Sequence, residues 1–260
     1  MTNKYSLTIN WLYPELMSTY GDRGNIIVLQ KIAEDNGIAI TIKRINETSP
    51  HNSLENSDLL FMGGAQDLQQ EIVNRDLQSK KGKILSNLIE EGIPGLYICG
   101  AYQFLGNYYK DSYGTKISGL GVFDMHTEAP ENKDRLIGNI VIKPTTSLST
   151  PASNSRSIPY LVGFENHGGR TYLKDSSLAF AKVVTGYGNN GKDKTEGIHY
   201  KNSIGTYLHG PILPSNPELA VLLLTLALER KYGKKHEIKF NDELSKSAKI
   251  AMLKRLKTTY

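Results

Sequence analysis

The chain has 260 residues, 39% of them hydrophobic, which suffices for one large globular domain, and its single cysteine excludes an internal disulfide. Its formal charge of +5 is concentrated near the end, where residues 229 to 257 hold ten Lys or Arg against four Asp or Glu, so the remainder carries −1. No signal-peptide core follows Met1, and the longest apolar run, the ten residues Leu219 to Leu228, is too short to cross a bilayer, so a soluble protein of the reducing cytoplasm is expected.

Tyr5 to Asn10 alternates as a strand, and Gly24 to Asp35 reads as an amphipathic helix ending at Asn36-Gly37. Ile38 to Ile45 alternates again, and Asp58 to Met62 is an apolar strand running into Gly63-Gly64. Residues 66 to 91, polar and Lys-rich, read as one or two surface helices before the apolar strand Gly95 to Cys99. Strands alternating with helices imply βαβ units and a mostly parallel central sheet flanked by helices, an α/β fold. Such sheets place their sites beyond the carboxyl ends of the strands, where Gly21, Gly63 and Cys99 all fall.

After residue 117, Gly-bounded segments at 119 to 128, 135 to 143, 160 to 165, 180 to 187, 196 to 200 and 203 to 208 read as shorter strands and hairpins. Ser147 to Ser157 is rich in Ser, Thr, Asn and Pro and reads as a loop. Asn216-Pro-Glu predicts a capped helix start. Asn241-Asp-Glu opens a final amphipathic helix with apolar residues at 244, 248, 252, 253 and 256. One domain is expected over residues 1 to 235, with a basic helical extension over 236 to 260. That extension suits a solvated helix or contact with an anionic surface. Basic charge without aromatic interleaving gives no case for nucleic acid.

Chemistry is concentrated around Cys99-Gly-Ala-Tyr-Gln103. A lone cysteine in an apolar strand is ordinarily a small core residue. Here, however, a strand enters a helix through small neighbours, which is the pattern of a nucleophile elbow. Far downstream His209 sits in Thr206-Tyr-Leu-His-Gly-Pro211, and a Cys with a sequence-distant His suits a nucleophile and its base. Of the other histidines, His51 and His236 read as surface residues, and His126, His167 and His199 lack metal-ligand spacing, so no metal is expected. Gly21-Asp-Arg-Gly24 matches neither the Walker nor the dinucleotide fingerprint, so no ATP site is expected.

The Cys99 motif resembles the nucleophile motif of class I glutamine amidotransferases in the cobyric acid synthase-like branch, a flavodoxin-like fold. Leu12-Tyr-Pro, Tyr20-Gly-Asp-Arg-Gly-Asn25, Met62-Gly-Gly-Ala-Gln-Asp67, Gly163-Phe-Glu-Asn-His-Gly-Gly-Arg-Thr171 and Gly205-Thr-Tyr-Leu-His-Gly-Pro211 are similar to the glutaminase subunits of lipid II isoglutaminyl synthases. The resemblance implies Cys99 as nucleophile, His209 as base, Gly64 and Gly100 as backbone oxyanion donors, and Arg135 as the anchor for the glutamine α-carboxylate. Gln103 is expected to organise the loop. No cofactor is expected in this chain. The implied partner, in a heterodimer, is a Mur-ligase-like (MurT-type) subunit that uses ATP and magnesium to activate the D-glutamate α-carboxyl of lipid II, with the complex at the inner face of the membrane. Rival readings are the glutaminase of another amidotransferase, such as one serving cobyric acid synthesis, and a non-catalytic binding module on the same fold.

Ala65 and Ala101 stand where relatives often carry glycine. No acid lies within six residues after His209, where many class I members carry His-x-Glu. The expectation is that the partner supplies or positions an acid there, with Glu165 or Asp22 of this chain as the alternatives.

Overall fold

The computed structural model describes residues 4–65, 67–145, 159–241 and 243–258; the loop expected over Ser147 to Ser157 lies outside them. The chain runs β1 (Tyr5–Leu12), α1 (Arg23–Asp35), β2 (Ile38–Ile45), β3 (Leu59–Met62), α2 (Asp67–Leu77), α3 (Lys80–Glu90), β4 (Gly95–Ile98) and α4 (Gly100–Phe104). Then come β5 (Tyr108–Lys110), β6 (Lys116–Ser118), β7 (Met125–Glu128), β8 (Leu136–Pro144), β9 (Leu161–His167) and β10 (Arg170–Leu173). The last part comprises β11 (Ala181–Thr185), β12 (Thr195–Glu196), β13 (Ile198–Tyr200), β14 (Ser203–Thr206), α5 (Ile212–Ser215), α6 (Pro217–Tyr232) and α7 (Glu243–Arg255).

The central sheet has six strands in the order β13-β14-β4-β3-β1-β2. All its pairs are parallel except β13 with β14. This is the doubly wound order in which the chain reverses direction across the sheet beside β1, so a crevice opens at the carboxyl ends there. Every residue of β3 and β4 is buried, which is why both read as short continuous apolar runs rather than alternating ones. Along α1, Asn25, Ile26, Leu29, Ile32 and Ala33 are buried at helical spacing, and the helix packs on α5 and α6. One continuous core joins these helices to the sheet.

Two four-stranded sheets complete the molecule, β10-β7-β5-β6 and β12-β11-β8-β9. The second is tied to the central sheet by Phe164 and His209, whose backbones exchange both hydrogen bonds, at 3.2 and 2.7 Å.

Several local expectations need correction. Strands β5, β6 and β10 were not anticipated; with three or four residues each, they are too short to show a period. Asn216 precedes α6 but does not cap it with its side chain. Its amide instead accepts from Val162 N at 2.9 Å and donates to the carbonyls of Val162 and Ile212, both at 2.8 Å. In α7 the expected apolar face is present over its second half, where Leu253 is buried and Met252 and Leu256 pack beside it, but Leu244 and Ala248 are exposed and Lys249 is buried instead. Leu253 packs on Val141 of β8 and Val162 of β9, and the Lys249 amine pairs with Glu218 of α6. The basic cluster is partly neutralised in the same way, Lys231 pairing with Asp58 at 2.8 Å and Arg230 with Glu91 at 3.7 Å. His236 is half-buried with its ring 4.3 Å from that of Tyr5, not on the open surface.

Replacing Asn216 by Ala removes three hydrogen bonds and strands buried backbone groups of β9. A loss of about 3 kcal/mol is expected, read from the urea midpoint at unchanged slope.

Candidate active site

Cys99 follows β4 with φ 52° and ψ −106°, a conformation rare for a residue carrying a Cβ. Two backbone bonds hold it there, Cys99 N to Thr206 O at 2.8 Å and Gln103 N to Cys99 O at 3.0 Å. The first continues the β4–β14 pairing by one residue, and the second starts α4. The strand-to-helix elbow read from the sequence is therefore present.

Beneath it lies a buried polar layer. Gln103 Nε2 donates to the Tyr207 hydroxyl at 3.0 Å, that hydroxyl bonds Thr171 Oγ1 at 2.6 Å, and Thr171 bonds Thr127 Oγ1 at 2.7 Å. Gln103 thus organises the loop, as expected. The His167 ring stacks on Tyr207 with centroids 3.6 Å apart, and Nδ1 meets Gly169 O at 2.8 Å. Burial disfavours its cationic form and lowers its pKa, outweighing the nearby Glu165. Glu196 accepts from Thr206 Oγ1 at 2.7 Å and Tyr207 N at 2.8 Å. Burial pushes its pKa up to about 7. Sequence reasoning does not single out Tyr207, although it lies within the motif around His209, and misses Glu196, which stands in no pattern that distinguishes it from a core residue.

His209 lies three residues beyond β14 and is 1% exposed. Its neighbours come from separate loops. The Tyr20 ring meets it edge-on at 4.9 Å, and Asp22 Oδ1 stands 3.9 Å from Nδ1. Gly64 separates it from Cys99: a methyl group there would lie 2.9 Å from His209 Cε1 and 3.3 Å from Cys99 Cβ. Only glycine fits beside these two side chains. Burial works against the imidazolium, but attraction to the Cys99 sulfur and to Asp22 outweighs it and pushes the His209 pKa up to about 10.

Of the two acids named as internal alternatives, the structure brings Asp22 to His209 and sends Glu165 elsewhere. Glu165 accepts the amides of Tyr187 at 2.7 Å and Gly188 at 2.9 Å, and faces His167 at 3.9 Å. The Gly64 N–H is taken by Asp22 Oδ2 at 2.7 Å. Gly100 opens α4, and amides in the first turn have no acceptor within their helix.

Arg135 is exposed just before β8, with Nε on Asn166 Oδ1 and a terminal nitrogen on Asn166 O, each at 2.8 Å. Asn166 Nδ2 in turn donates to the Tyr20 hydroxyl at 2.7 Å. A hydrogen-bonded path thus joins Arg135 to the ring that covers His209. Tyr20 and Asn166 both lie in segments already set apart in the sequence, and only the fold shows that they meet. Of the remaining histidines, His126 is stacked between Tyr108 and Tyr172. Among the described residues, no group of three His, Cys, Asp or Glu could hold a metal ion, and no helix is long and apolar enough to cross a membrane.

A cysteine at a strained elbow thus lies beside a buried histidine at the carboxyl end of the neighbouring strand, an arrangement that suits a nucleophile and its base. The chain belongs to the CobB/CobQ-like glutamine amidotransferase domain family, whose model matches residues 8–217. Within that family it is 45% identical over 227 residues to the Staphylococcus aureus protein "Lipid II isoglutaminyl synthase (glutamine-hydrolyzing) subunit GatD", covering 87% of this chain and 86% of that one. The Streptococcus pneumoniae protein of the same name is 42% identical over 231 residues, 88% of this chain and 83% of that one. Among solved structures, the fold is similar to PurLQS from Thermotoga maritima, with a TM-score of 0.57 at 15% identity over 88% of this chain and 99% of that one.

Followed by NMR, the His209 ring should hold its proton through neutrality and release it near pH 10. Cys99→Ser removes the sulfur's charge and should lower that value, because one source of attraction for the imidazolium is gone. A ring titrating near 6.5 in both proteins would contradict this geometry.

Proposed function

We propose that the chain is the glutaminase subunit of a lipid II isoglutaminyl synthase. The observation that carries it is Cys99, held at a strained elbow beside the buried His209, and the two relatives described above support the substrate assignment. Cys99 Sγ attacks the carboxamide carbon of L-glutamine, and the carbonyl electrons move onto oxygen. Collapse of that oxyanion breaks the C–N bond while the His209 imidazolium protonates the nitrogen, releasing ammonia and leaving a thioester. Water then attacks the thioester as His209 takes its proton, and glutamate leaves as the sulfur departs. Arg135 would hold the α-carboxylate with the donors not bonded to Asn166, and Gly100 with Gly64 would serve the oxyanion.

Joining ammonia to a carboxylate requires activation of the acid, a step that would fall to a second subunit. A Mur-ligase-like partner, forming a heterodimer with it, would use ATP and magnesium to activate the D-glutamate α-carboxyl of the lipid II stem peptide, and ammonia would convert it to D-isoglutamine. On this reading the complex works in the cytoplasm at the inner face of the membrane.

Cys99→Ser should abolish glutamine hydrolysis with folding nearly intact, because an alcohol is not ionised near neutral pH. In the wild-type chain a glutamine-analogue electrophile should label Cys99, read by mass spectrometry. Hydrolysis at the wild-type rate by Cys99→Ser would sink the assignment.

Adding the partner should raise glutamine hydrolysis above that of the isolated chain and, with ATP and magnesium, yield amidated lipid II. Amidation of a cobyric acid precursor instead would favour the rival amidotransferase. No hydrolysis with or without a partner would favour a binding module.

A further inference from the structure

The loop between β1 and α1 holds Gly64 by both of its backbone groups. Thr19 N and Oγ1 donate to Gly64 O at 3.1 and 2.9 Å, and Gly64 N–H donates to Asp22 Oδ2 at 2.7 Å. Asp22 is fully buried. Its other oxygen, Oδ1, has no hydrogen-bond partner and faces His209 Nδ1, which is also buried and also without one. Each unpaired polar atom is costly in a buried setting. The 3.9 Å between them exceeds an ordinary N–H···O bond by about 1 Å.

We propose, building on the glutaminase reading, that Asp22 is a positioning residue that sets the base and the oxyanion donor together. In the state described here its carboxylate occupies the Gly64 amide and stops short of His209. In the reacting state it moves by about 1 Å onto Nδ1, a shift that converts the facing pair into a hydrogen bond. That bond fixes the ring with Nε2 available to Cys99, and the same movement frees the Gly64 N–H for the developing oxyanion.

Three features fit this role. A side chain at position 64 would block the movement, since its Cβ would stand 2.9 Å from His209 Cε1 and 3.6 Å from Asp22 Oδ2. Asp22 follows Tyr20 and Gly21, both at positive φ, so the carboxylate sits at the end of a tightly turned loop rather than on a helix face. The loop also carries Tyr20, which reaches Asn166 and through it Arg135, so an occupied Arg135 has a direct path to the Asp22 loop. The titratable side chains that face the His209 ring are Cys99, Asp22 and Tyr20.

The test uses Asp22→Asn, whose amide oxygen can still accept the Gly64 N–H but carries no charge. Hydrolysis should lose roughly a hundredfold in kcat while KM stays within about twofold, since the loss falls on proton transfer rather than on binding. The readout independent of turnover is the His209 ring titration in a Cys99→Ser background. There Asp22→Asn should move the ring pKa down by about one unit or more, because a carboxylate favours the imidazolium. An unmoved titration, or a KM that rises in step with the fall in kcat, would overturn the proposal. If the wild-type chain turns over no glutamine with or without its partner, the glutaminase reading fails while the titration still decides the role of Asp22.

A second measurement needs no variant at position 22. In a crystal structure of the wild-type chain covalently labelled on Cys99 by a glutamine-analogue electrophile, Asp22 should lie within hydrogen-bond distance of His209 Nδ1 and the Gly64 N–H should face the adduct oxygen. Asp22 still bonded to Gly64 in that adduct would overturn the proposal.

Discussion

The candidate active site depends on the backbone of one residue. At φ 52° and ψ −106°, Cys99 occupies a region that costs a side-chain-bearing residue of order 1–3 kcal/mol, and such strain persists only where the surroundings enforce it. Enforcement comes from both sides. Thr206 O holds the Cys99 amide in sheet register while Gln103 N takes its carbonyl into the helix, so the chain must turn within one residue. The Gln103 side chain then ties the new helix to Tyr207, one residue beyond that same strand. Without this turn the cysteine would continue the all-buried pattern of β4 and point into packed core.

Sheet order explains why the other groups converge. Asp22, Gly64, Cys99 and His209 follow β1, β3, β4 and β14, four strands adjacent in the sheet and parallel, so their carboxyl ends lie side by side. Each supplies a different chemical group: a carboxylate, a backbone amide, a thiol and an imidazole. The polar layer of Tyr207, Thr171, Thr127 and Gln103 supports this row from below, and with its hydroxyls bonded to one another it adds little freedom to the atoms above.

Much of this was legible in the sequence, for identifiable reasons. Leu59 to Met62 and Gly95 to Ile98 are apolar throughout because helices cover both faces, and α1 shows its period because one side alone is buried. Cys99 and His209 stood out through the small residues that their tight turns require. Arg135 was reached through resemblance alone, since an exposed arginine before a strand carries no distinguishing local pattern. The facing of Asp22 and His209 was not legible as a contact; 187 positions separate them, and only the order of the strands brings them together. The face of α7 is legible at Met252, Leu253 and Leu256 but not in its first half, where apolar spacing favours Leu244 and Ala248 whereas the helix buries Lys249, whose charge is met by Glu218. Asn216 was misread for a related reason: a good capping residue found stronger partners in β9 than in its own helix.

The bridge between Phe164 and His209 connects the far end of the chain to the candidate site through the backbone. His209 exchanges its backbone hydrogen bonds with Phe164, two residues along β9 from Val162, which is gripped by Asn216 on its backbone and by Leu253 of α7 on its side chain. β9 therefore links the backbone of His209 to the C-terminal helix. A truncation that removes residues beyond 235 as a dispensable tail would uncover Val141 and Val162 and loosen the strand to which His209 is paired.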